Sequence, residues 1–191
     1  MNADISYLFG LVVGGGVLHG RTLQIILPYK KWGSTEINPS RAGEISQDIL
    51  ARLNPVWQSH YDMSISFSVG DNNWNIQSLN VSDAFIDDLE TAGLPVVGEL
   101  RSHADLNTLI PLLKTFEHKK RFISGLTDTI GSLASTHRRF TDNFQTISFE
   151  FKGTNFKLVS NVIEILQGMG CTPDQVLWNH PNQHACKSSW L

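Results

Sequence analysis

The sequence predicts an α+β protein built from two similar halves about a pseudo-twofold axis. The first observation is a repeat: Ser6–Val17 (SYLFGLVVGGGV) and Phe122–Leu133 (FISGLTDTIGSL) are both apolar and helix-like, with an internal Gly-Leu and a closing glycine. The starts of these runs lie 116 residues apart, as expected for two related units in one chain. The second observation is that strand-like sequence and then an amphipathic stretch follow each run, so the order of elements repeats.

The composition is that of a folded protein with no general affinity for polyanions. The 191 residues are 41% hydrophobic, enough for a sizeable core, and only 17% charged, which argues against disorder. A net charge of −3 means that any contact with nucleic acid must depend on local groups. The apolar run Tyr7–Leu18 is shorter than the ~20 residues of a membrane span, and no basic segment precedes it. We therefore expect a cytoplasmic protein with no membrane partner.

The first half begins with a predicted helix over Tyr7–Gly16, although each of its glycines costs ~1 kcal/mol relative to alanine. Gly10 and Gly14 share one face of this helix, where they would admit the close approach of another backbone. Leu23–Leu27 predicts a strand, and the spacing of apolar residues in Arg41–Leu53 predicts an amphipathic helix.

Strict alternation in Met63–Val69 and again in Trp74–Leu79 predicts a β-hairpin. Two further helices are predicted, an acidic one over Val81–Thr91 and an apolar one over Asp105–Phe116. The intervening Leu94–His103 contains a proline and a glycine and has the character of a linker. We expect one half over 1–93, a linker over 94–104, and the other half over 105–191.

The second half repeats this order. Lys119–Ile130 predicts a helix, Leu133–Phe140 and Gln145–Lys152 predict strands, and Asn155–Gln167 predicts an amphipathic helix that ends at Gly168.

The second apolar run has the pattern x-x-Gly-Leu-x-Asp-x-x-Gly-Ser, and the first run shares its Gly10, Leu11 and Gly16. The pattern resembles the LAGLIDADG motif of homing endonucleases, and the element order is similar to the α-β-β-α-β-β-α unit of that family. The resemblance implies that the two motif helices pack together through Gly10, Gly14 and Gly125, and that two sheets form a DNA-binding saddle. It also implies that the second half lacks a final hairpin and helix, so a further domain or subunit would carry any catalysis.

The resemblance also implies where a metal site would lie. In the family, the last acidic residue of each motif helix holds a divalent cation, because hard cations such as Mg²⁺ take oxygen ligands. Aligned on the motif glycines, these positions fall at Gly15 and Ile130, and neither side chain can bind a metal. Asp128 matches an earlier acid that is more often a packing residue in the family. We therefore expect no catalytic residue, metal or cofactor, with Asp128 as the fallback acid and Mg²⁺ as the alternative cofactor.

The residues expected to contact double-stranded DNA are polar side chains on the outer faces of the predicted strands and basic side chains near them. Ser, Asn, Gln and Arg can read base edges in the major groove, whereas Lys and Arg hold phosphates. Any half-buried antiparallel sheet has a polar outer face, so these side chains alone do not indicate a DNA-binding surface. The pair of motif-like runs is the observation that favours DNA as the partner. The set is Lys30, Lys31, Arg41, Ser66, Ser68, Asn73, Asn75, Gln77, Lys119, His137, Arg138, Arg139, Gln145 and Lys152.

Three functions remain open from the sequence. The first is a DNA recognition module without the usual metal-binding acids. The second is an active metal-dependent endonuclease whose acids lie elsewhere, for example Asp128 with Glu150 or Asp142. The third is a structural or protein-binding domain on the same scaffold. A zinc site is not expected, because Cys171, His180, His184 and Cys186 lack the tight pairing of zinc ligands.

Overall fold

The computed structural model describes residues 1–28, 39–70, 73–135, 145–151, 155–174 and 176, with the backbone alone for 39–43, 45, 46, 69, 133–135, 145 and 146. Its elements, in chain order, are α1 (Ala3–Gly15), β1 (Gly16–His19), β2 (Thr22–Pro28), α2 (Pro39–Tyr61), β3 (Ser66–Val69), β4 (Asn73–Ser78), α3 (Asp83–Thr91), β5 (Gly98–Glu99), α4 (Leu100–His103), a 3₁₀ turn (Ile110–Leu112), α5 (Phe116–Ile130), β6 (Gly131–Ser135), β7 (Gln145–Phe149) and α6 (Phe156–Gln167).

Two antiparallel sheets follow the two glycine-bearing helices. β1 to β5 form a five-stranded sheet in the order β3-β4-β2-β1-β5, and β6 pairs with β7. One face of the larger sheet joins a core that also includes buried side chains of α1, α2, α3 and α6. No helix in the described part of the chain combines the length and the apolar character that crossing a bilayer requires.

In the described structure, four helices are preceded by a residue whose side chain accepts a hydrogen bond from an otherwise unpaired backbone N–H group. Asn2 accepts from Ile5 at the start of α1, and Ser82, Thr115 and Asn155 have the same role at α3, α5 and α6. Such caps are worth about 1 kcal/mol each.

Helices α1 and α5 lie parallel and in backbone contact at their glycines. A Cβ atom added to Gly10 would lie 2.1 Å from the carbonyl oxygen of Phe122, and one added to Gly125 would lie 2.2 Å from that of Tyr7. The two contacts are related by symmetry, since equivalent residues lie 115 positions apart in both. Side chains of Thr129 and Leu126 occupy the space beside Gly14. The predicted packing of glycine-bearing helices about a pseudo-twofold axis is confirmed.

The predicted helix over Asp105–Phe116 is wrong. This segment consists of turns and the short 3₁₀ turn, with Leu106, Leu109 and Leu113 all buried in the core. Pro111 has no backbone N–H group, which disfavours a continuous helix through this segment. The apolar side chains are instead buried from a series of turns. Apolar spacing alone does not distinguish these two arrangements.

Two other boundaries differ from the sequence prediction. The strand predicted over Met63–Val69 begins only at Ser66, because the N–H group of Ile65 donates to the side chain of Asn54 at 3.2 Å. The helix predicted to end at Leu53 continues through Pro55 to Tyr61. Burial of Trp57 and Tyr61 on this extension offsets the cost of an internal proline, which is ~3 kcal/mol.

The segment expected to be a linker packs on the first sheet. Gly98 and Glu99 form the edge strand β5 beside β1, and Leu94, Leu100 and Ala104 are buried. The sequence does not predict β1, because the helix predicted over Tyr7–Gly16 includes the first residue of this strand. The expected division at residues 93 and 105 stays a prediction.

Candidate nucleic-acid interface

Among the described residues, helices cover one face of the larger sheet and leave the other uncovered. Leu23, Ile25 and Ile76 point to the covered face and are each 1% exposed. Their strand neighbours point the opposite way, because side chains alternate along a strand. We call this second side the open face, formed by Val17, His19, Thr22, Gln24, Ile26, Pro28, Ser66, Ser68, Asn73, Asn75 and Gln77.

The strand register brings predicted contact residues into rows on the open face. Gln77 lies opposite both Ser66 and Gln24, and Asn75 lies opposite both Ser68 and Ile26. Ser66, Ser68, Asn73, Asn75 and Gln77, all expected to contact DNA, therefore lie on one surface.

The amide side chains on this face are connected to one another. The Nε2 group of Gln24 donates to Oδ1 of Asn75 at 3.3 Å, and Nδ2 of Asn75 donates to Oδ1 of Asn73 at the same distance. Gln24 was not among the predicted residues. The run Leu23–Leu27 (LQIIL) breaks alternation at Ile26, so it predicts a strand without indicating which side chains point outward.

The open face is polar but almost uncharged. Strands β1 to β5 contain no lysine or arginine, and Glu99 is their one carboxylate. Arg101 and Ser102 both donate to that carboxylate, the latter at 2.8 Å. The described part of this face therefore offers amide and hydroxyl groups rather than charge.

The other predicted contact residues are not brought to this face by the described structure. Lys119 lies near the start of α5, at the opposite end of that helix from β6, with its Nζ 3.5 Å from the carbonyl oxygen of Gly168. The remaining candidates fall outside the described residues or their described side chains: Lys30, Lys31, Arg41, His137, Arg138, Arg139, Gln145 and Lys152.

Helices α1 and α5 end at equivalent residues, Gly15 and Ile130, and both helices contact β2. A Cβ atom at Gly15 would lie 2.6 Å from the carbonyl oxygen of Ile26 and 3.0 Å from Cγ2 of Thr129. Gly16 and Gly131 follow as caps and begin the strands β1 and β6. The equivalent ends of the two helices thus meet the sheet through apolar groups and backbone.

Comparison of the fold with solved structures identifies similar proteins, whereas no protein-family model and no curated protein matches the sequence. A crystal structure of I-DmoI in complex with DNA and Mn has a TM-score of 0.50 at 14% identity, covering 93% of this chain and 84% of that one. The chain has the fold of I-DmoI. A structure of mesophilic variants of the homing endonuclease I-DmoI has a TM-score of 0.46 at 13% identity. The match covers 88% of this chain and 72% of the I-DmoI chain. The predicted α+β fold of the LAGLIDADG type is confirmed.

In the described structure, the side chains at the ends of α1 and α5 offer no ligand for a divalent metal. Gly15 has no side chain, Ile130 offers only carbon, and neighbouring Ile26 is apolar. The hydroxyl of Thr129 donates to the carbonyl oxygen of Leu126 at 2.8 Å. No group of three His, Cys, Asp or Glu residues that could hold a metal ion occurs among the described residues. Hard cations need several oxygen ligands, and this donor set does not supply them.

Asp128 lies across the helix interface from a tyrosine. The hydroxyl of Tyr7 donates to Oδ2 of Asp128 at 2.6 Å, and the guanidinium of Arg121 lies 5.1 Å from the centre of the Tyr7 ring. Arg121 also pairs with Asp4 at 3.3 Å. Burial, and then the negative charge of Asp128, raise the pKa of Tyr7 above its ordinary value. The carboxylate of Asp128 therefore links α5 to α1 through the hydroxyl of Tyr7.

Proposed function

We propose that this chain belongs to the LAGLIDADG group and binds double-stranded DNA through the open face without cutting it at the helix ends. The observation that carries the proposal is the pair of parallel helices in contact at Gly10 and Gly125, beside a sheet whose polar face is left uncovered by the described helices.

The shape and chemistry of the open face support a duplex as its occupant. The major groove of B-DNA is ~12 Å wide and admits a two-stranded ribbon, and its floor presents hydrogen-bond donors and acceptors. Gln24, Asn75 and Gln77 offer matching groups on adjacent strands. I-DmoI, which has the same fold, was crystallised in complex with DNA.

Phosphate contacts would come from the basic residues expected around the first and second sheets, including Lys30, Lys31 and Arg138. These contacts would give binding a steep dependence on salt, because each neutralised phosphate releases counterions. The net charge of −3 does not oppose this, since only charges near the interface contribute strongly at physiological salt.

The residues at the helix ends support the absence of the usual cleavage reaction. Two-metal hydrolysis needs carboxylates on both sides of the scissile phosphate to hold the ions. Gly15 and Ile130 supply none, and Asp128 is engaged by Tyr7.

The first test is binding of the chain to random-sequence duplex DNA at 50 and 200 mM salt, with and without Mg²⁺, followed by inspection of the DNA for cuts. We expect binding that weakens steeply with salt and leaves the DNA intact. Mg²⁺-dependent cuts that disappear in Asp128→Asn would instead establish an active endonuclease. Absence of binding even at 50 mM salt would leave a structural or protein-binding scaffold.

A matched pair of variants places the interface. Gln77→Glu puts one negative charge on the open face without changing shape, and Gln167→Glu makes the same change at the end of α6, outside the sheet. We expect Gln77→Glu to weaken DNA binding by roughly tenfold through repulsion of the phosphates, and Gln167→Glu to leave it nearly unchanged. Equal effects of the two variants would mean that the open face is not the interface.

A further inference from the structure

We infer that the first sheet selects A·T base pairs, through amide side chains that bind adenine and aliphatic side chains that contact the thymine methyl group. This inference rests on the proposed function and concerns only the stretch of duplex that faces strands β1 to β4.

The amide groups have the capacity that adenine requires. An Asn or Gln amide has two N–H donors and two acceptor lone pairs. The hydrogen bonds on the open face use one donor of Gln24, and one donor and one lone pair of Asn75. A donor and an acceptor therefore remain on each. Adenine presents its N7 acceptor beside its N6 donor in the major groove, and bidentate pairing with Asn or Gln is the characteristic way to read it.

Each of these two amides has an aliphatic side chain directly across the ladder. Ile26 lies opposite Asn75, and Val17 lies opposite Gln24. Directly opposed side chains on one face of a sheet have Cβ atoms about 5 Å apart. Ile26 is 36% exposed although it is one of the more apolar residues of the chain. In an A·T pair the thymine methyl group lies in the same groove as the adenine edge, so an amide with an aliphatic neighbour matches both bases.

Within the described strands, the same face lacks free groups that read the other base pair. Guanine is most often read by Arg or Lys, and strands β1 to β5 contain neither. Cytosine donates from N4 to a carboxylate, and the one carboxylate on these strands, Glu99, is bound by Arg101 and Ser102. The choice between the two kinds of base pair therefore follows from the donors and acceptors present.

The test begins with selection of bound duplexes from a pool with a random core, using the whole chain at low salt. We expect a short block of positions in which A·T pairs are enriched. Replacing the selected adenines one at a time by 7-deazaadenine removes the N7 acceptor while keeping the pairing, and we expect a loss of about tenfold at the contacted positions. Replacing thymine by uracil in the same pair removes only the methyl group, and we expect a smaller loss.

Isosteric variants then assign the contacts to residues. Asn75→Asp converts the donor of the amide into an acceptor, so we expect the preference at one position to change from adenine to cytosine. Gln24→Glu should do the same at another position. Gln167→Glu, which adds the same charge on α6, should leave the selected sequence unchanged.

The outcomes separate the inference from the proposed function. Enrichment of A·T pairs that shifts at one position in Asn75→Asp supports both. DNA binding with no A·T enrichment, or with enrichment that Asn75→Asp and Gln24→Glu leave in place, overturns the inference while the DNA-binding function stands. Absence of binding to every duplex at low salt overturns the proposed function and the inference together.

Discussion

Helices α1 and α5 occupy equivalent positions in the two halves, yet their surroundings differ. Nine of the thirteen residues of α1 are buried, and they lie on every side of the helix. In α5 only Phe122, Gly125, Leu126 and Thr129 are buried, all on the side that faces α1. The first helix is therefore enclosed by its own half as well as by its partner, whereas the second is held chiefly through the contact with α1.

The helix pair is symmetric in its backbone contacts and asymmetric in its side chains. Gly10 and Gly125 have the same role. At each of them a backbone carbonyl oxygen of the other helix lies where a Cβ atom would otherwise stand. The positions on either side differ: Tyr7 corresponds to Phe122, and Val13 corresponds to Asp128. As a result the hydrogen bond between Tyr7 and Asp128 exists on one side of the axis only. The close approach of the two backbones requires glycine at both equivalent positions, whereas the side chains beside them can differ.

The largest expected effect is loss of the helix contact. Gly10→Ala and Gly125→Ala each place a methyl group about 2 Å from a backbone oxygen, so the helices must separate. We expect each variant to lower the free energy of unfolding by more than about 3 kcal/mol, and the double variant to lower it by less than the sum, because the first separation relieves the second clash. Denaturant unfolding measures this, with Ser124→Ala at a half-buried position beside Gly125 as the control. Additive effects would show that the two glycines act independently.

Exchanging the asymmetric pair comes next in size. Val13 is fully buried, so Val13→Asp would place a carboxylate in the core without a partner, and we expect a loss of about 3 kcal/mol. Asp128 is exposed, so Asp128→Val would remove only the bond from Tyr7 and cost about 1 kcal/mol. Thermal unfolding of both variants provides the comparison. Similar losses for the two would contradict the difference in enclosure between the helices.

Adding an acid at each helix end gives a smaller difference. Gly15→Asp would bring a Cβ atom within 2.6 Å of the Ile26 carbonyl oxygen, and we expect it to cost about 2 kcal/mol. Ile130 already carries a Cβ atom and is only half-buried, so Ile130→Asp should cost about 1 kcal/mol. Equal stability of the two variants would mean that β2 moves readily away from α1.

The smallest effect at neutral pH is that of the tyrosine hydroxyl. Tyr7→Phe should cost about 1 kcal/mol near pH 7, because the bond to Asp128 is lost. Since folding raises the pKa of Tyr7, its contribution is fully present below the unfolded pKa of about 10 and is lost as the pH rises above that value. The variant should therefore lose less stability than the native chain between pH 10 and 12. Tyr61→Phe is the companion variant, because burial and the bond to Asp88 also raise the pKa of Tyr61. An unchanged alkaline profile in both variants would contradict this account.

The sequence predicts the open face unevenly. Strict alternation over Trp74–Leu79 places Asn75 and Gln77 on one side of a strand, as in the structure. Gln24 is not predicted to lie on this face, because its strand, LQIIL, is apolar at four of five positions. Only the pairing of Ile26 with Asn75 on β4 shows which side chains of the strand point outward. Lys119 looks like a phosphate contact in the sequence, yet it lies at the far end of α5 from β6. Whether Gln24 and Lys119 lie near the open face thus depends on how the strands pair and on the direction in which α5 runs.

The sequence by itself determined the existence of the glycine-bearing helices and of the alternating hairpin, because each of these depends on residues within a few positions of one another. Only the tertiary structure decided that Tyr7 meets Asp128 across 121 positions, that β1 and β5 complete the sheet, and that a side chain at Gly15 would meet β2. Such contacts depend on which elements pack against each other, and the local periodicity of one segment does not specify the segment that packs on it.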